Sequence, residues 1–132
     1  MPAFSRTSLE RLSTCHPLLQ QLFNEVIRHR DCTILCGHRG KQEQEQAVRD
    51  GFSKAKFGQS RHNYSPSLAA DVMPYPIDWQ DKQRIKEFSE FIKGLAAGMN
   101  IPIQWGGDFK SFYDGPHWEL VGNFHEAKIP DG

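Results

Sequence analysis

The sequence predicts an α+β domain in which helices pack on a small, mainly antiparallel sheet. Two stretches, Pro17–Arg30 and Asp81–Met99, repeat apolar residues every three or four positions, the spacing of an amphipathic helix. Short apolar runs with β-branched members lie between glycines and prolines, as strands in a small sheet do. Both element types therefore occur in one chain of 132 residues, which is long enough for a single core.

The first half of the chain predicts helix, strand, helix. Pro17 suits the first turn of the helix Pro17–Arg30. Cys32–Cys36 is short and apolar, which indicates a buried strand that runs into a glycine-flanked loop. Lys41–Asp50 is rich in Gln and Glu, and Gly51 is a suitable C-terminal cap, so we expect a second helix that is mostly solvated.

The second half predicts a long loop, the Asp81–Met99 helix and three strands. Phe52–Ser67 has no periodicity and contains turn-forming residues, so it should be a loop. Leu68–Met73 is a candidate strand that two following prolines end. Ile101–Trp105 and His117–Val121 are the other strands. Residues after Asn123 show no pattern and are expected to form a loose tail of a single domain over 1–132.

Composition excludes several classes of protein. Sixteen basic and sixteen acidic residues balance, so no net field favours nucleic acid. The apolar runs are too short to span a bilayer, so we expect no membrane insertion. The start resembles no secretory signal, which predicts residence in the cytoplasm of a bacterial host. Cys15, Cys32 and Cys36 form an odd set and are expected to be free thiols, the last two as small buried apolar residues.

Three possible metal ligands lie at strand ends or in adjacent loops. His62, Asp71 and His117 supply two imidazoles and one carboxylate, which is a ligand set for catalytic zinc with one position left open. Asp114 stands three residues before His117, where a carboxylate can take a proton from water that zinc has made acidic. Six histidines and sixteen acidic residues also produce such triplets by chance, so spacing alone does not decide.

The sequence motifs around these residues resemble those of a known family. The segments Ser60–Tyr64, Ala69–Val72, Trp105–Phe109 and Asp114–Glu119 together resemble the M15 metallopeptidases, and Cys36–Gly40 is similar to the family's Ser-Gly-Tyr-Arg element. That group includes D-alanyl-D-alanine carboxypeptidases, vancomycin-resistance dipeptidases and phage endolysins that cleave L-alanyl-D-glutamate bonds. The resemblance runs from about residue 17 to 121 and implies a hedgehog/DD-peptidase-like fold.

The resemblance also implies roles for particular residues. His62, Asp71 and His117 would bind one zinc ion per chain, and Asp114 would be the catalytic acid or base. Arg39 would help to bind substrate and to stabilise the developing oxyanion. Glu119 lies two residues past His117 on the same strand face, and we expect it to orient a ligand imidazole rather than to act as the base.

Two departures from the family pattern stand out. Eight residues separate His62 from Asp71, whereas the family has six, and we expect Ser65–Ser67 to absorb the extra length as a bulged loop. The upstream element reads Cys-Gly-His-Arg, so only Arg39 carries the family's role.

These features predict a monomeric zinc peptidase that cuts stem peptides of peptidoglycan. Without an evident signal or anchor, an endolysin of a phage or prophage is favoured, one that reaches the wall after the membrane opens and cuts the L-alanyl-D-glutamate bond. The alternatives are a D-alanyl-D-alanine carboxypeptidase or dipeptidase and a non-catalytic, zinc-stabilised binding module. A thiol hydrolase that uses Cys36 and His38 is a further alternative.

Overall fold

The computed structural model describes residues 2–130 and has the predicted α+β architecture. Within these residues, four α-helices accompany one four-stranded sheet. The helices are α1 (Arg6–Leu12), α2 (Pro17–His29), α3 (Lys41–Arg49) and α4 (Lys82–Gly98). The strands are β1 (Cys32–Cys36), β2 (Ala69–Pro74), β3 (Ile103–Trp105) and β4 (His117–Leu120). Single 3-10 turns cover Arg61–Asn63 and Gly106–Asp108.

Helices α2 and α4 supply most of the helical part of the core. Leu22 and Phe23 of α2 are fully buried, and so is Ile92 of α4. They share one cluster with Ile34 of β1 and Val72 of β2. Burying a side chain of this size contributes roughly 1.5–3 kcal/mol. The apolar side chains that recur at helical spacing therefore pack α2 and α4 against the sheet.

The sheet is antiparallel throughout, with strand order β1-β2-β4-β3. In β2, Val72 pairs with Ile34 and faces the core, so the alternation of side chains turns Asp71 to the opposite face. Asp71 in turn pairs with His117 of β4. The middle of the sheet thus carries polar side chains on the face away from the core.

A β-bulge interrupts the pairing of β1 with β2. Ile34 pairs with Val72, but the next pair joins Cys36, not Leu35, to Asp71. One extra residue on β1 at this point changes the face to which the following side chain points. The bulge therefore brings Cys36 to the side of the sheet that carries Asp71.

Helix α1 covers the outer edge of β1 and was not predicted. Ser5 caps it by accepting from the Ser8 backbone N–H. The Ser8 hydroxyl accepts from the backbone N–H of Ile34 at 3.0 Å, and Arg11 donates to the Ile34 carbonyl at 3.1 Å. These bonds satisfy backbone groups that an edge strand otherwise leaves open.

The segment after Asn123 differs from the expected loose tail. Ala127 is buried, and the backbones of Ser65 and Lys128 exchange two hydrogen bonds. Glu126 also bonds to His16 at 2.5 Å. The segment is ordered because the Ser65–Ser67 loop and the start of α2 provide its contacts; residues 131 and 132 lie outside the described range.

Candidate metal centre

Three adjacent strands place side chains in one row across the sheet. Asp71 of β2 lies between its cross-strand partners Cys36 of β1 and His117 of β4. His62 reaches the same place from the 3-10 turn, where Ser60 caps the turn by accepting from the His62 backbone N–H. Residues distant in sequence thus meet around one carboxylate.

One oxygen of Asp71 faces both histidines. Its Oδ1 lies 3.0 Å from Nε2 of His62 and 3.3 Å from Nδ1 of His117. The other oxygen, Oδ2, accepts from Nη2 of Arg39 at 3.3 Å. The structure therefore brings His62, Asp71, His117 and Arg39 together, as the sequence predicts.

The remaining ring nitrogens of both histidines are already bonded. Nδ1 of His62 donates to the Gly37 carbonyl at 2.7 Å, and Nε2 of His117 donates to Glu119 Oε1 at 2.8 Å. In the neutral rings, the nitrogens that face Asp71 then carry lone pairs. A lone pair 3.0 Å from a carboxylate oxygen is favourable only with a proton or a cation between them. This donor set, with each imidazole oriented from behind, fits a metal ion.

The same arrangement perturbs the ionisation of these groups. Burial alone lowers the pKa of His62, but the charge and hydrogen bond of Asp71 outweigh it and raise that pKa to about 10. For Asp71, burial raises the pKa, yet the charges and hydrogen bonds of His62 and His117 hold it below the usual range. The carboxylate is ionised, and the nitrogens beside it attract a proton or a cation.

Cys36 lies beside the proposed ligands, whereas the sequence interpretation considered it as a small buried apolar residue or as the nucleophile of a thiol hydrolase. Possible ligand atoms of Cys36, His62 and Asp71 all lie within 4.8 Å of one another. His117 lies outside that group and contacts it at Asp71, with 3.3 Å between Nδ1 and Oδ1. Cys36 is only half-buried, so the expectation of a small buried apolar residue is wrong for it, although it fits Cys32. The three cysteines are free thiols, as predicted. Sequence alternation gave no signal for Cys36, because the bulge reverses its face.

The pKa of the thiol also distinguishes Cys36 from the other two cysteines. Burial raises the pKa of Cys15 and of Cys32 to about 12 each. Burial likewise favours the neutral form of Cys36, but the neighbouring His62 ring favours the thiolate and lowers the Cys36 pKa below its usual value. Among the described residues, no hydrogen bond joins Cys36 to His38, whose Nδ1 donates to the Tyr64 carbonyl at 2.8 Å. The Cys36–His38 hydrolase alternative therefore lacks its catalytic contact.

Asp114 borders the cluster without a close contact to Asp71. Its Oδ2 lies 3.9 Å from Nδ1 of His117, and burial together with the charge of Asp71 raises its pKa to about 6. The Asp114 backbone N–H donates to the Gly106 carbonyl at 3.0 Å. A Cβ atom at position 106 would lie only 2.3 Å from the Asp114 carbonyl oxygen. Only glycine at 106 permits this approach, which holds Asp114 beside His117.

A buried amide network supports Arg39. Gln44 is fully buried although it belongs to the mostly solvated helix α3, and its Oε1 accepts from Arg39 Nη1 at 3.2 Å and from Asn63 Nδ2 at 3.1 Å. Gln44 Nε2 donates to the Ala55 carbonyl at 2.7 Å. The sequence interpretation did not single out Gln44; its three-residue spacing from the buried Ala47 is the signal that marks an inward face.

Two adjoining cavities open at the cluster. One is about 420 Å³ and the other about 640 Å³. Four residues line both: Arg39, Phe52, Phe112 and Asp114. Aromatic side chains line both cavities, and each also has cationic ones: Lys54 and Arg61 in the smaller cavity and Lys82 in the larger. An extended ligand that occupies both cavities would therefore pass Arg39 and Asp114, which they share.

Within residues 2–130, no helix is both long enough and apolar enough to cross a membrane. A family model described as phage L-alanyl-D-glutamate peptidase matches residues 2–121. The chain belongs to this family. Membership confirms the resemblance that the sequence motifs indicate.

Individual relatives of this chain agree with the family match. The peptidoglycan L-alanyl-D-glutamate endopeptidase CwlK of Bacillus subtilis (strain 168) is 29% identical over 108 residues. That alignment covers 70% of this chain and 62% of CwlK, so the chain spans less than two thirds of this curated relative. The crystal structure of the Serratia marcescens L-Ala D-Glu endopeptidase ChiX is 26% identical, with a TM-score of 0.75 and 91% of each chain covered.

A more distant structure shares the fold. The vancomycin resistance D,D-pentapeptidase VanY, solved in complex with Zn(II), superposes with a TM-score of 0.54 at 17% identity. The match covers 85% of this chain and 71% of VanY. The predicted DD-peptidase-like fold is thereby confirmed.

Proposed function

We propose that this chain is a zinc-dependent endopeptidase that hydrolyses the L-alanyl-D-glutamate bond of peptidoglycan stem peptides. The observation that carries the proposal is the pair of imidazoles on one Asp71 oxygen, each held from behind by a carbonyl or carboxylate. The family and the names of CwlK and ChiX support the substrate. A monomeric state and a location in the host cytoplasm stay predictions of the sequence.

One zinc ion per chain is proposed, with His62, Asp71 and His117 as its protein ligands. The donor set suits zinc, and the VanY structure contains Zn(II). Bound zinc supplies Lewis-acid polarisation of the scissile carbonyl and makes the attacking water more acidic. Glu119 then orients His117 through its Nε2, the role expected from the sequence.

Asp114 and Arg39 are proposed to act on the substrate. Asp114 takes the proton from the attacking water and delivers it to the amide nitrogen as the C–N bond breaks. Arg39 donates to the carbonyl oxygen as negative charge develops there. Both residues line the two cavities, so they border the position where a peptide must cross.

The presence of two adjoining cavities at the cluster favours an endopeptidase over a carboxypeptidase. An endopeptidase holds peptide before and after the cleaved bond, whereas a carboxypeptidase needs little room beyond the terminal residue. The adjoining cavities of about 420 and 640 Å³ provide both positions. The cationic side chains Lys54 and Arg61 in the smaller cavity suit a glutamate carboxylate.

The test is digestion of purified peptidoglycan by the zinc-loaded chain, with the new termini identified by mass spectrometry. New glutamate amino termini paired with alanine carboxyl termini are expected. Release of free alanine instead would identify a carboxypeptidase. Retention on the wall without any new termini would favour the binding module.

Arg39→Ala is expected to lower turnover while the zinc content stays at one per chain. Loss of one oxyanion donor typically costs about 2.7–4 kcal/mol, a rate decrease of roughly 10²- to 10³-fold. Turnover on peptidoglycan fragments and elemental analysis of the purified variant are the measurements.

Arg39→Lys should recover only part of this loss, because an ammonium group cannot bond to Asp71 and Gln44 with the planar fork of arginine. Arg49→Ala, which removes an exposed cation from α3, is the matched control and should turn over normally. Normal turnover of Arg39→Ala would return Arg39 to a structural role.

Glu119→Gln is expected to weaken zinc binding by about 10- to 100-fold, the usual cost of losing an outer partner of a ligand imidazole. The amide replaces a charged acceptor behind Nε2 of His117, which reduces the basicity of the ring. Competition with a chelator measures the affinity, and Glu90→Gln on the exposed face of α4 is the control. Unchanged affinity would show that Glu119 does not orient the ligand.

A further inference from the structure

The bulge in β1 gives the metal centre a neighbour that the proposed ligand set does not use. Without the extra residue, Leu35 would pair with Asp71, and Cys36 would face the core as Ile34 does. With it, Cys36 pairs with Asp71 and lines the larger cavity beside Arg39 and Asp114. The backbone distortion therefore presents a thiol at the site.

The thiol is also near enough to share an ion with its neighbours. Among the described residues, Cys36, His62 and Asp71 form the group whose possible ligand atoms all lie within 4.8 Å of one another. Thiolate is a soft ligand that zinc accepts readily together with imidazole and carboxylate. Cys15 and Cys32 lie outside this group: the Cys15 sulfur contacts the carbonyls of Arg11 and Ala69, and Cys32 pairs with Pro74 at the far end of β1.

We infer that Cys36 is a fourth protein ligand of the metal ion held by His62, Asp71 and His117. The inference rests on the proposed zinc site and deepens it. Four protein ligands close a zinc site, whereas three leave a position open. Bound in this way, Cys36 would fill the open position in the resting protein, so that it must be displaced before water can be activated there.

The test uses the full chain loaded with Co²⁺ in place of zinc, because cobalt reports its ligands by absorption. The wild-type chain should show visible ligand-field bands together with a near-ultraviolet thiolate-to-cobalt charge-transfer band. Cys36→Ser should keep the visible bands and lose the charge-transfer band. Cys32→Ser, a change on the same strand with a buried thiol, is the control and should keep both.

Each alternative spectrum has a separate meaning. Visible bands without charge transfer in the wild type would overturn the inference and leave the zinc peptidase intact. A charge-transfer band that persists in Cys36→Ser would overturn it as well. Failure of the wild type to bind cobalt or zinc would instead overturn the proposed metal site, and the inference with it.

Alkylation of the wild-type chain keeps the inference testable if Cys36→Ser does not fold. Iodoacetamide should modify Cys36 in the chelator-treated protein, and bound zinc should slow the reaction by at least about tenfold, because coordination draws negative charge from the thiolate and makes it a weaker nucleophile. Peptide mass spectrometry locates the label. Equal rates with and without zinc would overturn the inference.

Discussion

Replacing Asp71 with alanine is expected to remove both the zinc and the hydrolysis of peptidoglycan. The carboxylate is the group that His62, His117 and Arg39 share, at 3.0, 3.3 and 3.3 Å. Without it, two imidazoles and a guanidinium face one another with no anion between them. Elemental analysis should fall from one zinc per chain to none, and wall hydrolysis should become undetectable.

Stability provides a second measurement on the same variant. A ligand at 100 times its Kd stabilises the folded state by about 2.7 kcal/mol. Zinc should therefore raise the melting temperature of the wild type and of Asp31→Ala, an exposed control, but not that of Asp71→Ala. His62→Ala and His117→Ala should behave like Asp71→Ala. Full zinc in any of the three would remove that residue from the ligand set.

Asp114→Asn is expected to keep zinc and fold while wall hydrolysis falls by about 10²- to 10⁴-fold, the usual contribution of a general acid or base. The amide has the size of the carboxylate but cannot accept the proton of the attacking water. Asp114 Oδ2 lies 3.9 Å from His117 Nδ1, so the carboxylate stands next to the proposed ligands, where it can reach the attacking water. Turnover and zinc content, measured on one preparation, test both parts.

Asp108→Asn is the matched control, because Asp108 lies on the neighbouring turn and bonds to Lys93 outside the cluster. Asp114→Glu should retain some activity, since the acid survives with a longer reach. Loss of zinc in Asp114→Asn would make Asp114 a ligand and put the assignment of Asp71 in doubt. Full activity would move the role of base to Glu119, and Glu119→Gln would then have to be inactive.

Local patterns predicted the main elements because those elements depend on local spacing. Apolar residues such as Leu22 in α2 and Ile92 in α4 recur at helical spacing, which predicts both helices. In the structure each helix begins and ends within a residue or two of the predicted bounds. Asp71 inside an apolar strand was itself a signal, since a carboxylate is disfavoured there. Asp71 and His117 lie side by side because they are paired residues of the neighbouring strands β2 and β4.

Other features depend on tertiary contacts that no local pattern encodes. Helix α1 has few apolar residues and is held by bonds from Ser8 and Arg11 to the backbone of Ile34. The segment around Ala127 is ordered by a bridge to Ser65, which is distant in sequence. The position of Cys36 beside Asp71 was not predicted, because the position of a bulge depends on the partner strand.

The row of Cys36, Asp71 and His117 makes metal content a measure of correct refolding. A slip of one residue between β2 and β4 would turn Asp71 or His117 to the core face, because side chains alternate along a strand. A chain with such a slipped sheet could be compact and still lack the ion. With zinc bound at the proposed site, the zinc content per molecule should equal the fraction of a preparation whose strands have the native register, before any substrate is added.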